Sequence, residues 1–214
     1  MITDFDYNIK PIHIHEWLPD RCLSMNTLLN PKNLSLEQGC PSLSTHCEKF
    51  SPGSRKKLEA LYCDVISRFG CCGFIAWFGE QVIGYNNFFP REIAKDIRFY
   101  GWGNDDREPS TLVHNCISIT RNSKYRRRGI GTNLMTHSLH WAKENGWKRF
   151  EVHKVLPPIS NGISSEQKSG QIFWEKLGFK VFRTEEACNE TKLMYGVSER
   201  YSMVLQLESW DGIS

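Results

Sequence analysis

The sequence predicts an α/β chain, an α+β sandwich in which strands and helices alternate around one sheet. Three observations predict it. Leu112 to Ile119 (LVHNCISI) reads as a buried strand, and it runs through a basic, glycine-containing turn into a helical pattern from Thr132 to Lys143. Upstream, two short apolar runs, Gly73–Phe78 and Val82–Phe89, flank Gly79-Glu80-Gln81, the pattern of a hairpin. Downstream, a strand at Arg149–Val155, a helix at Glu166–Leu177 and closing strands at Lys180–Thr184 and Glu199–Leu207 complete the alternation.

Taken in order, Tyr7 to Ile14 alternates and suits a first strand, with Pro11 favouring a sheet edge. From Trp17 to Gly53 the pattern is irregular and punctuated by prolines; Leu18–Leu29 can hold a short helix, and Asn33–Ser51 shows no clear element. Arg55 to Phe69 is a helix, with Leu58, Leu61, Tyr62, Val65, Ile66 and Phe69 at helical spacing and Gly70 as its stop. Arg91–Ser110 is a polar connection long enough to wall a site. The helix after the basic turn carries Ile130, Leu134, Ser138 and Trp141 on one stripe with Met135, Leu139 and Ala142 beside it, and Asn145-Gly146 closes it. Leu156–Ser165 reads as an insertion.

The 214 residues suit one domain, spanning 1–214, with an atypical stretch at 17–53. A hydrophobic share of 40% and a charged share of 24% are ordinary globular values, and a net charge of +3 is too small to argue for a nucleic-acid partner. The polar N-terminus lacks a signal-peptide core, and no apolar run approaches the roughly 20 residues that cross a bilayer, so a cytoplasmic protein without a membrane partner is expected. Eight cysteines are irregularly spaced. Cys63, Cys71, Cys72 and Cys116 fall in or beside core elements, and Cys40, His46 and Cys47 with Cys22 lack zinc spacing, so free thiols and no metal are expected.

The chemistry concentrates in Tyr125-Arg126-Arg127-Arg128-Gly129-Ile130-Gly131-Thr132. A helix starting here points unpaired N–H groups at whatever occupies the turn, two glycines let the backbone approach an anion, and arginines add forked donors. No Gly-Lys-Ser/Thr follows, so it is not a P-loop, and the glycine spacing is not GxGxxG.

Arg126-x-x-Gly129-x-Gly131 resembles the Arg/Gln-x-x-Gly-x-Gly/Ala signature of the GCN5-related N-acetyltransferases (GNAT), and Phe173-Trp174-Glu175-Lys176-Leu177-Gly178-Phe179 resembles the later motif of the same family. Together they cover about residues 73–180. The resemblance implies the GNAT fold, a mixed, mostly antiparallel central sheet with a V-shaped splay and helices on both faces. It also implies an acyltransferase that takes acetyl-CoA as donor and transfers directly to a primary amine, of a small molecule or a peptide. In that family pattern Ile117, Ser118 and Ile119 line the pantetheine. Arg126, Arg127, Arg128, Gly129, Ile130, Gly131 and Thr132 hold the pyrophosphate, and Gln167 stands near the position of a common asparagine.

The amine must lose a proton, and Glu151 in Phe150-Glu151-Val152-His153 resembles a strand in which some members place the base; His153 shares its face by strand period. Binding a backbone group or the substrate ammonium is an equal alternative for Glu151. On the cofactor strand, parity groups Asn115 with Ile117 and Ile119 and leaves His114 structural. One departure stands out: Trp174 occupies the position of the tyrosine that protonates the leaving thiolate, and an indole N–H does not give up its proton. Tyr125, Tyr85 or water could substitute. A non-catalytic acyl-CoA-binding module, and more weakly an RNA contact through Lys124–Arg128, remain rivals. Acceptor, acyl length and oligomeric state, monomer or homodimer, are left open.

Overall fold

The computed structural model describes residues 6–13, 52–94, 110–120, 123–125, 127–158 and 170–212. The short helix expected within 18–29, the stretch 33–51, the Cys40/His46/Cys47 group, most of the 91–110 connection and the start of the helix expected at 166 lie outside them. Seven strands form one sheet in the order β1-β2-β3-β4-β5-β7-β6. They are β1 (Asn8–Pro11), β2 (Gly73–Phe78), β3 (Gln81–Pro90), β4 (Thr111–Ile119), β5 (Arg149–Val155), β6 (Lys180–Glu186) and β7 (Glu199–Gln206). Helices are α1 (Pro52–Phe69), α2 (Arg91–Ala94), α3 (Ile130–Glu144), α4 (Gly170–Lys176) and α5 (Asn189–Tyr195). The pairs β1–β2, β2–β3, β5–β7 and β6–β7 are antiparallel, and β4–β5 is parallel. The mixed, mostly antiparallel sheet with helices that the sequence predicts is therefore present. The described residues divide into two compact units, one holding residues up to Phe88 with Asn115–Ser138, the other Phe89–His114 with Leu139 onward.

In the first unit, β1 is the edge strand, as Pro11 suggested, and Ile12 N–H extends it by donating to Gly73 O at 2.9 Å. The β2–β3 turn is tighter than the three residues expected: only Gly79 and Glu80 lie between the strands, with Gly79 at φ 59°, the left-handed geometry that a two-residue hairpin requires. Helix α1 buries Tyr62 and Val65, while Cys63, expected near the core, lies on its exposed side.

Two residues of β3 dock α3. Gly84 is needed for space: a Cβ there would come within 2.7 Å of Ile119 Cδ1, 3.1 Å of Ile130 Cγ2 and 3.3 Å of Leu134 Cδ1. Asn86 supplies the polar lock. It is wholly buried, its Oδ1 accepts Phe74 N–H at 3.1 Å, and its Nδ2 donates to Ser138 Oγ at 2.7 Å and reaches Leu134 O at 3.3 Å. A second buried chain runs from Asn115 Nδ2 to Asn87 Oδ1 at 3.0 Å and from Asn87 Nδ2 to the Tyr62 hydroxyl.

In the second unit, β4 and β5 pair from Thr111↔Arg149 to Val113↔Glu151, while β4 continues to Ile119 and β5 to Val155. Antiparallel β7 lies between β5 and β6, with register shifts at Val152/Val155 and Val181/Arg183. In the first, His153 and Lys154 together face Ser202, and Lys154 takes φ 57°, a bulge that bends β5. One face of this layer packs Phe150, Trp174 and Phe179 edge to face. Helix α5 was not anticipated. At seven residues it is too short for a periodic signal, and its cue is Gly196 at φ 65°, whose N–H caps Lys192 O.

Asn86→Ala removes the bonds by which this side chain ties α3 to β3 and takes its Oδ1 acceptor from the buried Phe74 N–H. We expect urea unfolding to show a loss of about 2–4 kcal/mol with the fold retained; a loss under about 0.5 kcal/mol would mean that apolar packing alone seats the helix.

Candidate functional site

In the first unit, the turn between β4 and α3 is built on Tyr125. A 3-10 turn (Ser123–Tyr125) brings its ring into the core. There its hydroxyl donates to Gln81 Oε1 at 3.0 Å, and the ring packs against Phe78 with Lys124 Nζ 4.5 Å from its centroid. From this anchor the backbone coils: Arg127 takes φ 56° and Gly129 φ 75°, with Arg128 between them outside the left-handed region. Such alternation aims successive N–H groups to one side, forming an anion-binding concavity. Gly129 O accepts Asn133 N–H at 2.8 Å, the opening bond of α3, so the N–H groups of Ile130, Gly131 and Thr132 have no intrahelical acceptor. They carry the positive end of a 15-residue helix dipole.

Arg127 and Arg128 are exposed, Ile130 is buried and anchors the helix, and Gly131 and Thr132 are half-buried. Arg126 and Gln167 lie outside the described residues. Ile117, Ser118 and Ile119 are half-buried on β4, and Thr120 N–H donates to Ile83 O at 2.9 Å, pinning the strand end before the turn.

Regular alternation does not hold along β4. Asn115 meets Asn87 and Cys116 lies 3.9 Å from the Tyr85 hydroxyl, so two consecutive residues face one side of β3, while Ile119 lies on the side of Gly84. The grouping of Asn115 with Ile119 by parity is therefore corrected: a local irregularity in β4 intervenes.

In the second unit, the candidate residues separate onto two faces of β5. Glu151 and His153 point to one face and meet each other; Trp174 belongs to the Phe150 face and does not reach them. Glu151 is fully buried. Its Oε1 is held by Arg149 Nε at 2.8 Å and Arg91 Nη1 at 3.0 Å, and its Oε2 lies 3.0 Å from His153 Nε2. Burial alone would raise the carboxyl pKa; the adjacent His153 and two guanidiniums outweigh it and hold the pKa below the usual value.

His153 Nδ1 lies 2.9 Å from Ser202 Oγ, and Nε2 faces a carboxylate oxygen, Oε2 of Glu151, that has no formed hydrogen bond among the described residues; with the hydrogen on Nε2, Nδ1 accepts from the hydroxyl. Burial lowers the His153 pKa, with Glu151 partly opposing, and the ring is neutral at pH 7. A Ser202–His153–Glu151 line with a neutral imidazole at its centre can take up a proton and stabilise the resulting charge.

Arg91, Arg149 and Ser202 were not singled out from sequence. Arg149 was open to it, lying two residues from Glu151 on one strand face. Arg91 and Ser202 arrive from distant segments and carry no local signal.

His114 lies on the opposite face, buried, its ring 4.8 Å from Trp174 in an edge contact, with Nε2 unbonded among the described residues. Burial drives its pKa down to about 3. Trp174 is itself buried between His114, Phe173 and Phe179. Among the described residues no group of His, Cys, Asp and Glu is arranged to hold a metal, and no helix is long and apolar enough to cross a membrane.

Because folding depresses the His114 pKa, the unfolded chain binds one more proton than the native one between pH 6.5 and about 3. Its stabilising effect is complete above pH 6.5 and declines as the pH falls, by about 1.4 kcal/mol per unit. Urea titrations from pH 7 to 4.5 should show a shallower slope for His114→Leu; parallel curves would mean that His114 titrates normally in the fold.

A model of the acetyltransferase (GNAT) family matches residues 42–179, well over half of the chain. No match is found among curated proteins. Among solved structures, an acetyltransferase of the GNAT family from Streptococcus pneumoniae superposes with TM-score 0.56 at 13% identity, over 94% of this chain and 99% of that one. The yncA protein of Salmonella typhimurium, solved with its cofactor acetyl-CoA, gives 0.58 at 14% identity over 97% and 98%. The PaiA N-acetyltransferase of Thermoplasma acidophilum, in complex with coenzyme A, gives 0.52 at 14% over 94% and 99%. These likenesses concern the fold, while the family match extends through both motifs; the chain belongs to the GNAT acetyltransferase family.

Proposed function

We propose that this chain is an acetyl-CoA-dependent N-acetyltransferase that passes the acetyl group directly to a primary amine. The observation that carries the reading is the turn from Arg127 to Thr132, where a left-handed alternation and the uncapped start of α3 converge N–H groups. There the pyrophosphate of the donor sits, with Arg126, Arg127 and Arg128 as its cations and Ile117, Ser118 and Ile119 offering backbone groups to the pantetheine. The coenzyme A and acetyl-CoA complexes of structural neighbours are consistent with this donor.

In the reaction the new C–N bond forms as the C–S bond of the thioester breaks, and the thiolate leaves with the electron pair. The ammonium of the acceptor, with an ordinary pKa near 10.4, must first lose a proton. His153 is the base in this reading. Ser202 passes its hydroxyl proton to Nδ1 and recovers one from the acceptor side, and Glu151 holds the imidazolium that forms. Glu151 is then a positioning residue: held ionised by Arg91 and Arg149, it binds a proton less readily than a free carboxylate does. Trp174 has no acidic proton to give the thiolate, so water supplies it.

The burial of Trp174 against His114 favours one second reading, a module that binds an acyl-CoA without turning it over.

Two measurements test these readings. Calorimetry should give micromolar binding of acetyl-CoA, about −8 kcal/mol, abolished in Gly131→Glu, whose carboxylate would meet the phosphates. Binding unaffected by that substitution removes the turn from the site. For the base, Glu151 raises the His153 pKa, so Glu151→Gln should lower turnover and move the acid limb of kcat/KM to lower pH. An unmoved limb excludes His153, and a chain that binds acetyl-CoA yet releases no thiol with any amine is the module.

A further inference from the structure

Two bulges meet at one residue of β7. On the β5 side Val152 pairs with Met203 and Val155 with Tyr201, so His153 and Lys154 together face Ser202. On the β6 side Val181 pairs with Met203 and Arg183 with Ser202, so Phe182 is an extra residue with no position opposite it. Both neighbours of β7 thus break register where Met203 gives way to Ser202. A bulge re-aims the side chain it carries, and bulges concentrate beside active sites. Here both turn side chains to the same place. His153 Nδ1 reaches Ser202 Oγ at 2.9 Å, and the Phe182 ring meets the His153 ring edge to face at 6.1 Å. The Arg149 guanidinium lies 4.9 Å from the centroid of Phe182 and steadies the ring. The groups behind it are closed to water: Ser202 is fully buried, and the His153 side chain keeps 3% of its surface. Phe182, by contrast, is 40% exposed. It stands between a shielded imidazole and the solvent.

The geometry points to Phe182 as an acceptor-binding residue, a platform over which the amine approaches His153, and to an acceptor whose amine is carried on an aromatic group. This rests on the transferase reading for the amine and its approach, and not for the binding of the ring. An aryl group laid on Phe182 removes apolar surface of both partners from water and adds an offset or edge-on ring contact. A hydroxylated chain or a second ammonium would lose hydration against the same ring and gain no partner in return. The bulge in β6 then has a purpose: it puts an aromatic ring beside the base where regular alternation would leave a gap in the wall.

The first test uses the whole chain and needs no turnover. N-(2-phenylethyl)acetamide and N-(2-hydroxyethyl)acetamide, the products of an aromatic and a polar amine with the same linker, are titrated calorimetrically. The phenyl amide should bind about tenfold tighter. Phe182→Ala should bring the two within about twofold, whereas Phe182→Tyr, which keeps the ring, should retain the preference. The two variants together separate a lost platform from a damaged sheet. Equal binding or no binding by the native chain, a preference that survives Phe182→Ala, or a loss that Phe182→Tyr shares, overturns the inference. Thiol release then separates it from the transferase reading. In Phe182→Ala the ratio of kcat/KM for 2-phenylethylamine to that for ethanolamine should fall about tenfold, through KM. A loss shared equally by both amines and confined to kcat makes Phe182 a support for His153; the platform is then wrong and the enzyme stands. If the phenyl amide binds through Phe182 but no amine is acetylated, the platform stands and the transferase reading falls.

Discussion

The seating of α3 against β3 is the constraint on which the first unit depends. A helix can present its N-terminal N–H groups to a ligand only if its start is fixed to within a fraction of an ångström. Gly84 clears the space in which Ile130 and Leu134 lie against the strand, and Asn86 ties the next turn through Leu134 and Ser138. The lock is polar because apolar contacts resist sliding along the helix axis weakly, whereas an amide bonded on both sides has one register. Tyr125 fixes the other end of the turn in the same way.

The second unit solves a different problem, that of keeping titratable groups buried at defined charge. His114 and His153 are both enclosed, and both lose proton affinity through desolvation. They differ in their neighbours. His114 meets Trp174 and, among the described residues, has no partner for an added proton. His153 lies between a hydroxyl and a carboxylate whose own charge is secured by two arginines. The same imidazole is thus packed against an aromatic ring on one face of the layer and set between a hydroxyl and a carboxylate on the other.

Much of this was legible in the chain. Strand β5 coincides with the run Arg149–Val155, because alternating apolar residues between Asn145-Gly146 and Leu156-Pro157 leave little freedom of register. The α3 start was written in two glycines and a stripe running from Ile130 through Ser138 to Trp141. Glu151 and His153 were paired by strand period, and the structure brings them together. What escaped was what local pattern cannot encode. Ser202 and Arg91 reach the cluster across about fifty and sixty residues of chain. Asn86 and Asn87 lie within what reads as an apolar run, yet they are its buried polar ties. The irregularity in β4 broke a parity argument that assumed perfect alternation.

Arg127 carries a wider consequence. A side chain with a Cβ at φ 56° costs on the order of 1 kcal/mol that glycine would avoid. Asparagine would also sit there with less strain. A long cation in that conformation means that the turn is not optimised for its own stability. Stabilising this protein by the usual route of relaxing strained backbone would begin at this residue, and it would trade thermal tolerance directly against the electrostatic attraction of the turn.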